Sequence, residues 1–263
     1  VKTIEKRDEV LSLLKGNVGL NFAVLPKRSY DKLRKKGVKY IDVSEDMLKL
    51  REVKTSKEIA IQKKAVSITE SIFRKVFNGL KKEEFSTEKQ VADFMFTETL
   101  KTGCTLAFDT IVASGTGAAS PHYVPAGKLK KGFCVIDFGV RYKGYCSDMT
   151  RTVYLGIPSD KEITRYDEVL SALESVESEV KPRQKYSFDA FPMIHALGHG
   201  VGLDVHEQPS LGKSFTLREG NVVAIEPGQY VKGKFGIRIE DNYVVRKRGL
   251  VRLGRLSRKL RVF

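Results

Sequence analysis

Two stretches of the chain each place one aspartate inside a strand-forming run: Cys134-Val-Ile-Asp-Phe-Gly-Val140 and Gly144-Tyr-Cys-Ser-Asp-Met-Thr-Arg-Thr-Val153. A hairpin turning at Tyr142 and Lys143 makes Asp137 and Asp148 direct cross-strand neighbours, with Cβ atoms about 5 Å apart. Two carboxylates so placed repel, and Val135, Ile136 and Phe138 partly desolvate them. A cation between them relieves both costs, and hard divalent ions prefer oxygen ligands. The hairpin alone also fits two exposed acids on a polar, solvated face.

The chain has four histidines, His122, His195, His199 and His206, and three of them fall between Met193 and Glu207. Gly198, Gly200 and Gly202 disfavour a helix there. This is therefore not the HExxH pattern, in which two histidines share a helical face. A glycine-lined backbone instead lets an imidazole approach a shared centre closely. Two acids extend the set. Glu226 follows the apolar run Val222 to Ile225, and Glu240 sits in Gly236-Ile-Arg-Ile-Glu-Asp241. Read as one strand from Gly236 to Val245, that segment puts Arg238 and Glu240 on one face. Asp137, Asp148, Glu226 and Glu240, with one imidazole as a neutral nitrogen donor, balance the charge of two divalent cations.

Elements must bring these residues together. Thr55 with Glu58, Thr87 with Gln90 and Ser159 with Glu162 each read as a capping box opening a helix. Behind Thr55, Ile61, Ala65, Ile68, Ile72 and Val76 recur at helical spacing. Gly103 is placed to end the second helix. Strand-like runs span 110–113, 133–140, 146–155, 222–226 and 236–245. Hairpin-like pairs interleaved with helices predict α+β, with a mainly antiparallel sheet. Residues 1–50 read as short helices and strands, and Lys49 to Lys57 reads as a connector. The expected division is a short N-terminal lobe, 1–52, and a main domain, 53–263.

Composition narrows the setting. The net charge is +15, and 41% of the 263 residues are hydrophobic. No run approaches the roughly 20 apolar residues that span a bilayer, so no membrane is expected. Residues 1–10 are mixed in charge and show no apolar leader core. The three cysteines, Cys104, Cys134 and Cys146, have no CxxC spacing, which fits a reducing compartment and predicts the cytoplasm. The basic excess lies in residues 1–90 and 181–263, while 91–180 is acidic. Arg246 to Arg261 holds eight basic residues and no acid. It lacks interleaved aromatics for base stacking, so nucleic acid is not the expected partner.

The runs Pro121-His-Tyr123, Val135-Ile-Asp-Phe-Gly139, Gly144 to Thr152, Gly198 to Pro209, Ile225-Glu-Pro-Gly228 and Gly236 to Asp241 together resemble the Xaa-Pro dipeptidase (prolidase) and aminopeptidase P group. These are pita-bread metallopeptidases, grouped with creatinase and methionine aminopeptidase, and the resemblance covers residue 53 to the C-terminus. It implies a pita-bread fold, with a curved sheet covered by helices. It implies two divalent ions per chain, Mn or Co before Zn or Fe. It implies a dipeptide or short-peptide substrate cut at its N-terminal Xaa-Pro bond. Asp137 would hold one ion, His199 and Glu226 the other, and Asp148 and Glu240 would bridge. Glu226 would also serve as general base, with His122 and His206 stabilising the tetrahedral intermediate. His195 would line the substrate pocket, and Arg238 would orient the carboxylates.

The N-terminal lobe is shorter than is usual in prolidases, where it supports a homodimer and helps close the site. Lys181 to Ile194 is also short, and Ser210 stands where some archaeal dipeptidases carry Arg. A methionine aminopeptidase and a non-catalytic pita-bread protein binding nucleic acid or protein are the alternative readings.

Overall fold

The three expected helix starts form through their capping boxes. Thr55 Oγ1 accepts from the Glu58 amide, while the Glu58 carboxylate accepts from the Thr55 amide at 2.7 Å. This opens the helix Ser56–Lys81. Thr87 with Gln90 opens Glu88–Lys101 in the same way, and at Asp160–Glu179 the Glu162 carboxylate accepts from both the amide and the hydroxyl of Ser159. Each box satisfies amides that the first helical turn otherwise leaves without partners. The long helix buries Ile59, Ala65, Ile68, Ile72 and Val76. Ile61, expected on that face, is only half-buried, and Ile59 takes its place.

The computed structural model describes residues 7–263. Residues 1–6, part of the expected N-terminal lobe, lie outside the described residues. The chain divides into two compact units, Val1–Arg51 and Glu52–Phe263. In the first, strands Gly16–Leu20 and Val38–Asp42 pair in parallel. Tyr30 packs edge-on between Phe22 and Tyr40, at 5.2 and 5.6 Å. The helix Ser44–Glu52 runs through half of the expected connector, which shrinks to the residues before Ser56. Glu45 and Asp46 favour this helix by complementing its N-terminal dipole.

The second unit is α+β, and all its named strand pairs are antiparallel. One sheet orders Ile111–Ser114, Gly132–Phe138 and Met149–Leu155; another runs Glu207–Leu211, Gly198–Gly200, Val222–Ile225, Asp241–Arg246 and Gly249–Arg252. Alternation along Gly132–Phe138 sorts its side chains. Cys134, Ile136 and Phe138 join the core under the long helix. Phe133 joins a second core with Tyr166, Leu173, Ile225 and Tyr243. Asp137, on the Phe133 side, is left to face a cavity.

Two register expectations need correction. The hairpin turns at Lys143-Gly144, not Tyr142-Lys143. Both turn residues have positive φ, 48° and 87°, as two-residue hairpin turns require. Tyr142 therefore pairs with Tyr145, and Asp137 lies opposite Thr150 rather than Asp148. A slip of two keeps the face, so Asp148 becomes a diagonal neighbour of Asp137. Second, residues 236–245 are not one strand. Phe235–Arg238 pairs with Gly228–Val231, while Asp241–Arg246 pairs with Val222–Ile225. Glu240 lies between them, its amide donating to the Thr150 carbonyl at 3.2 Å.

Candidate metal centre

The ladder that carries Asp137 pinches shut just beyond it. A Cβ on Gly139 would lie 2.0 Å from the Ser147 carbonyl oxygen, so only glycine permits the approach. The Ser147 hydroxyl accepts from the Val140 amide at 3.0 Å in place of a regular ladder bond. Asp148 emerges from this break, its amide donating to Asn242 Oδ1 at 2.9 Å. His199 reaches the same place by a similar constraint. Cβ atoms on Gly198 and Gly200 would meet carbonyl oxygens of Ala224 and Gln208 at 2.0 and 2.1 Å. The strand Gly198–Gly200 is thus pressed between two neighbours, with only the imidazole projecting. Glu226 follows strand Val222–Ile225 and stays in register through its amide, which donates to the Leu197 carbonyl at 2.9 Å.

Three overlapping trios of ligand atoms result, each within 4.8 Å: Asp137, Asp148 and Glu240; His199, Glu226 and Glu240; Asp148, His199 and His206. His199 Nε2 lies 3.5 Å from Glu226 Oε1 and 3.6 Å from Asp148 Oδ2. The donor set is oxygen-rich with imidazole, which suits a divalent ion. The hydrogen-bond pattern tests that fit. Asp137 Oδ2 accepts from Arg238 Nη2 at 2.7 Å, and Glu240 Oε2 accepts from the Thr150 hydroxyl at 2.7 Å. Their other oxygens, Asp137 Oδ1 and Glu240 Oε1, are buried and accept from no described residue, and neither does Asp148 Oδ1. Buried oxygens seldom lack a partner, and a cation supplies one to each.

The electrostatics agree. Burial, then the charges of Glu240, Asp137 and Glu226, push the Asp148 carboxyl well above its ordinary value. Burial, then Glu226 and Asp137, do the same to Glu240. Burial carries Glu226 up to about 7 against the pull of Arg238. These are carboxylates that need positive charge. Burial lowers His199 to about 4, so at neutral pH its imidazole is uncharged, the form that binds metal.

One cavity of about 660 Å³ is lined by Asp137, Asp148, His199, Glu226, Glu240, His122, His206, His195 and Arg238. The structure thus gathers every candidate side chain. His206 packs edge-on against His199 at 4.2 Å, and His122 projects from the loop beyond Ser120. His195 Nε2 meets the Tyr230 hydroxyl at 3.0 Å. Arg238 donates to that hydroxyl at 2.9 Å and to Thr150 Oγ1 at 3.1 Å. Its positive charge sits inside the carboxylate cluster, an addition to the simple balance of four acids against two cations.

Sequence reasoning missed several supporting residues. Thr150 and Tyr230 look like ordinary strand residues, yet they link Glu240, Arg238, Asp137 and His195 in one network. Arg151 Nη1 donates to the backbone carbonyls of Thr150 and Glu240 at 2.8 and 2.7 Å, and its Nη2 pairs with Asp241 at 2.8 Å. Lys54 pairs with Glu207, next to His206, at 2.5 Å in a buried bridge. Phe108, Ile111, Val124 and Val205 form apolar cavity wall. Of these, only Asp241 had a readable signal, an acid beside a ligand candidate.

Comparison with known proteins agrees with this geometry. Residues 60–247 match the model of metallopeptidase family M24. The chain is 33% identical to the Xaa-Pro dipeptidase of Pyrococcus horikoshii, over 99% of this chain and 80% of that one. It superposes on the prolidase from Pyrococcus furiosus with a TM-score of 0.84 at 32% identity, covering 97% of this chain and 81% of that one. It superposes on the X-Pro aminopeptidase from Thermotoga maritima with a TM-score of 0.86 at 32% identity, covering 94% and 75%. No helix among the described residues is long and apolar enough to cross a membrane. The chain belongs to metallopeptidase family M24, with the pita-bread fold of the prolidase group.

Proposed function

We propose that this metallopeptidase uses two divalent ions to hydrolyse the N-terminal Xaa-Pro bond of dipeptides or short peptides. The observation that carries the reading is the set of orphaned oxygens on Asp137, Asp148 and Glu240, shared between overlapping ligand trios at one cavity. Asp137, Asp148 and Glu240 would hold one ion, and His199 and Glu226 together with Glu240 and Asp148 would hold the other. Two such ions polarise a peptide carbonyl and acidify water. The proline preference rests on the relatives named Xaa-Pro dipeptidase, prolidase and X-Pro aminopeptidase.

The side chains divide the remaining work. Glu226 takes the proton from the attacking water and passes it to the leaving amine. His206 and His122 donate to the oxygen that gains charge as the carbonyl becomes tetrahedral. Arg238 keeps one oxygen of Asp137 occupied and leaves the other free to ligate an ion. His195, held by Tyr230, lines the substrate side. Residues 53–263 form the catalytic domain and 1–52 a short lobe. Mn or Co suits the donor set, and the three buried cysteines suit a reducing compartment such as the cytoplasm.

The test is a panel of Ala-Pro, a longer Xaa-Pro peptide and a Met-Ala peptide, each assayed with Mn and with Co after chelation. Release from the Xaa-Pro substrates, dependent on added metal, is the expected outcome. Release from Met-Ala alone overturns the proline assignment. No release from any peptide overturns the peptidase reading.

A further inference from the structure

His122 is exposed and sits in a segment without regular structure. Its placement therefore depends on what holds the backbone around it. Among the described residues, the hydrogen bonds of residues 121–127 run to a single partner, Glu88, the first residue of the helix Glu88–Lys101. Glu88 Oε2 accepts from the Tyr123 hydroxyl at 2.9 Å, the Gly127 amide at 2.9 Å and the Ala126 amide at 3.3 Å. The Glu88 amide in turn donates to the Gly127 carbonyl at 3.0 Å. Pro121 and Pro125 have no amide to offer. The other oxygen, Oε1, accepts from the Ser114 amide at 2.8 Å and hydroxyl at 2.7 Å. Ser114 ends the strand paired with the one that carries Asp137.

We propose that Glu88 is a positioning residue: its buried carboxylate clamps the loop 121–127 to the central sheet and so fixes His122 over the metal centre. Glu88 has no exposed surface. One carboxylate with five donors joins three elements: a helix start, a sheet edge and the loop. Burial pushes its carboxyl up, but the Ser114 and Gly127 hydrogen bonds outweigh this and hold it below the usual carboxylate range. The ionised form, which accepts at both oxygens, is thus the one present at neutral pH. Charge-assisted hydrogen bonds of this kind are the strong ones. An amide in its place puts an NH2 group against donors, whichever way it turns. With its oxygen kept on Ser114, it would face the Gly127 and Ala126 amides with hydrogens and release the loop.

The kinetic arm of the test rests on the peptidase reading, and the spectroscopic arm does not. Glu88→Gln, His122→Ala and the double variant are compared with the parent, fully metal-loaded, on Ala-Pro. Glu88→Gln is expected to lower kcat/KM by about 10- to 100-fold, as for a displaced catalytic group, with metal content unchanged. In the His122→Ala background it should change the rate by no more than about twofold, because the two act through one group. In metal-free protein, imidazole NMR should show the His122 resonances shifted by Glu88→Gln and those of His195 and His199 in place. Multiplying kinetic effects or an unmoved His122 signal would overturn the proposal. If Glu88→Gln fails to fold, Tyr123→Phe removes one donor of the clamp and must shift the same resonances; an unmoved signal there overturns it equally. If the parent cleaves no peptide, the functional reading fails while the NMR arm still decides the role of Glu88.

Discussion

Glu240 and Asp241 are neighbours in the chain, both fully buried, yet they belong to opposite electrostatic worlds. Glu240 faces the cavity among other acids, with one oxygen unpartnered. Burial and those neighbours push its carboxyl up. Asp241 faces the other way, into a knot of arginines. Arg151 contacts it at 2.8 Å, Arg252 at 3.0 Å and Arg258 at 2.7 Å. Burial raises its carboxyl, but the charges of Arg151, Arg252 and Arg258 overcome this and leave it below its ordinary value. One side is an acidic pocket with Arg238 set among four clustered acids, and the other is an ionic core in which three arginines surround one aspartate. Arg151 joins them, holding the Glu240 carbonyl with one nitrogen and Asp241 with another. A site kept short of positive charge is primed to bind cations; its ion-paired neighbour supplies the backing. Of the eight basic residues of the stretch 246–261, Arg252 and Arg258 serve this internal purpose.

The comparison breaks most visibly at Asp148. Asp148→Asn is expected to abolish metal-dependent turnover, by at least about 10³-fold, and to lower metal content measured by elemental analysis. In metal-free protein the same change should raise the melting temperature, because it removes a repelling buried charge. Full turnover in the variant would contradict the bridging role. Asp241→Asn tests the opposite side. It leaves buried guanidinium groups without their shared anion and should cost about 3–5 kcal/mol in denaturant unfolding. A neutral result would show that the arginine knot contributes nothing to stability.

A smaller and subtler difference lies in pH. Burial pushes the Glu226 carboxyl up to about 7 from its ordinary 4.5. A carboxyl with a raised folded pKa favours the fold while protonated, and that contribution is lost as pH rises through the folded value. Glu226→Gln, a permanent mimic of the protonated form, should therefore gain stability over the parent between pH 4.5 and 7. The gap should reach on the order of 2–3 kcal/mol and then level off. Asp241 has the opposite sign: its contribution is present above pH 3.8 and fades as pH falls below. Paired unfolding curves of metal-free parent and variants across pH 3–8 check both directions, and parallel curves would refute them.

The capping boxes at Thr55, Thr87 and Ser159 were legible because local hydrogen bonds determine a helix start. The antiparallel class was legible because alternating runs come in hairpin-like pairs. The acids and histidines that meet at the cavity stood out in the sequence because carboxylates flanked by apolar strand residues, and histidines among glycines, are costly without a purpose. Register was not legible. Whether a hairpin turns at Tyr142-Lys143 or Lys143-Gly144 depends on which two residues take positive φ, and that moved Asp148 from beside Asp137 to its diagonal. Nor were Thr150, Tyr230, Arg151 and Glu88, whose types are common in any strand or helix. They matter only because of partners far away in the chain: Thr150 for Glu240, Tyr230 for His195 and Arg238, Glu88 for the loop of His122. Sequence determined which groups could bind a cation, since that is chemistry of the residues themselves. Tertiary structure alone decided which oxygens are held and which are left open, because hydrogen-bond satisfaction belongs to the packed interior rather than to any segment.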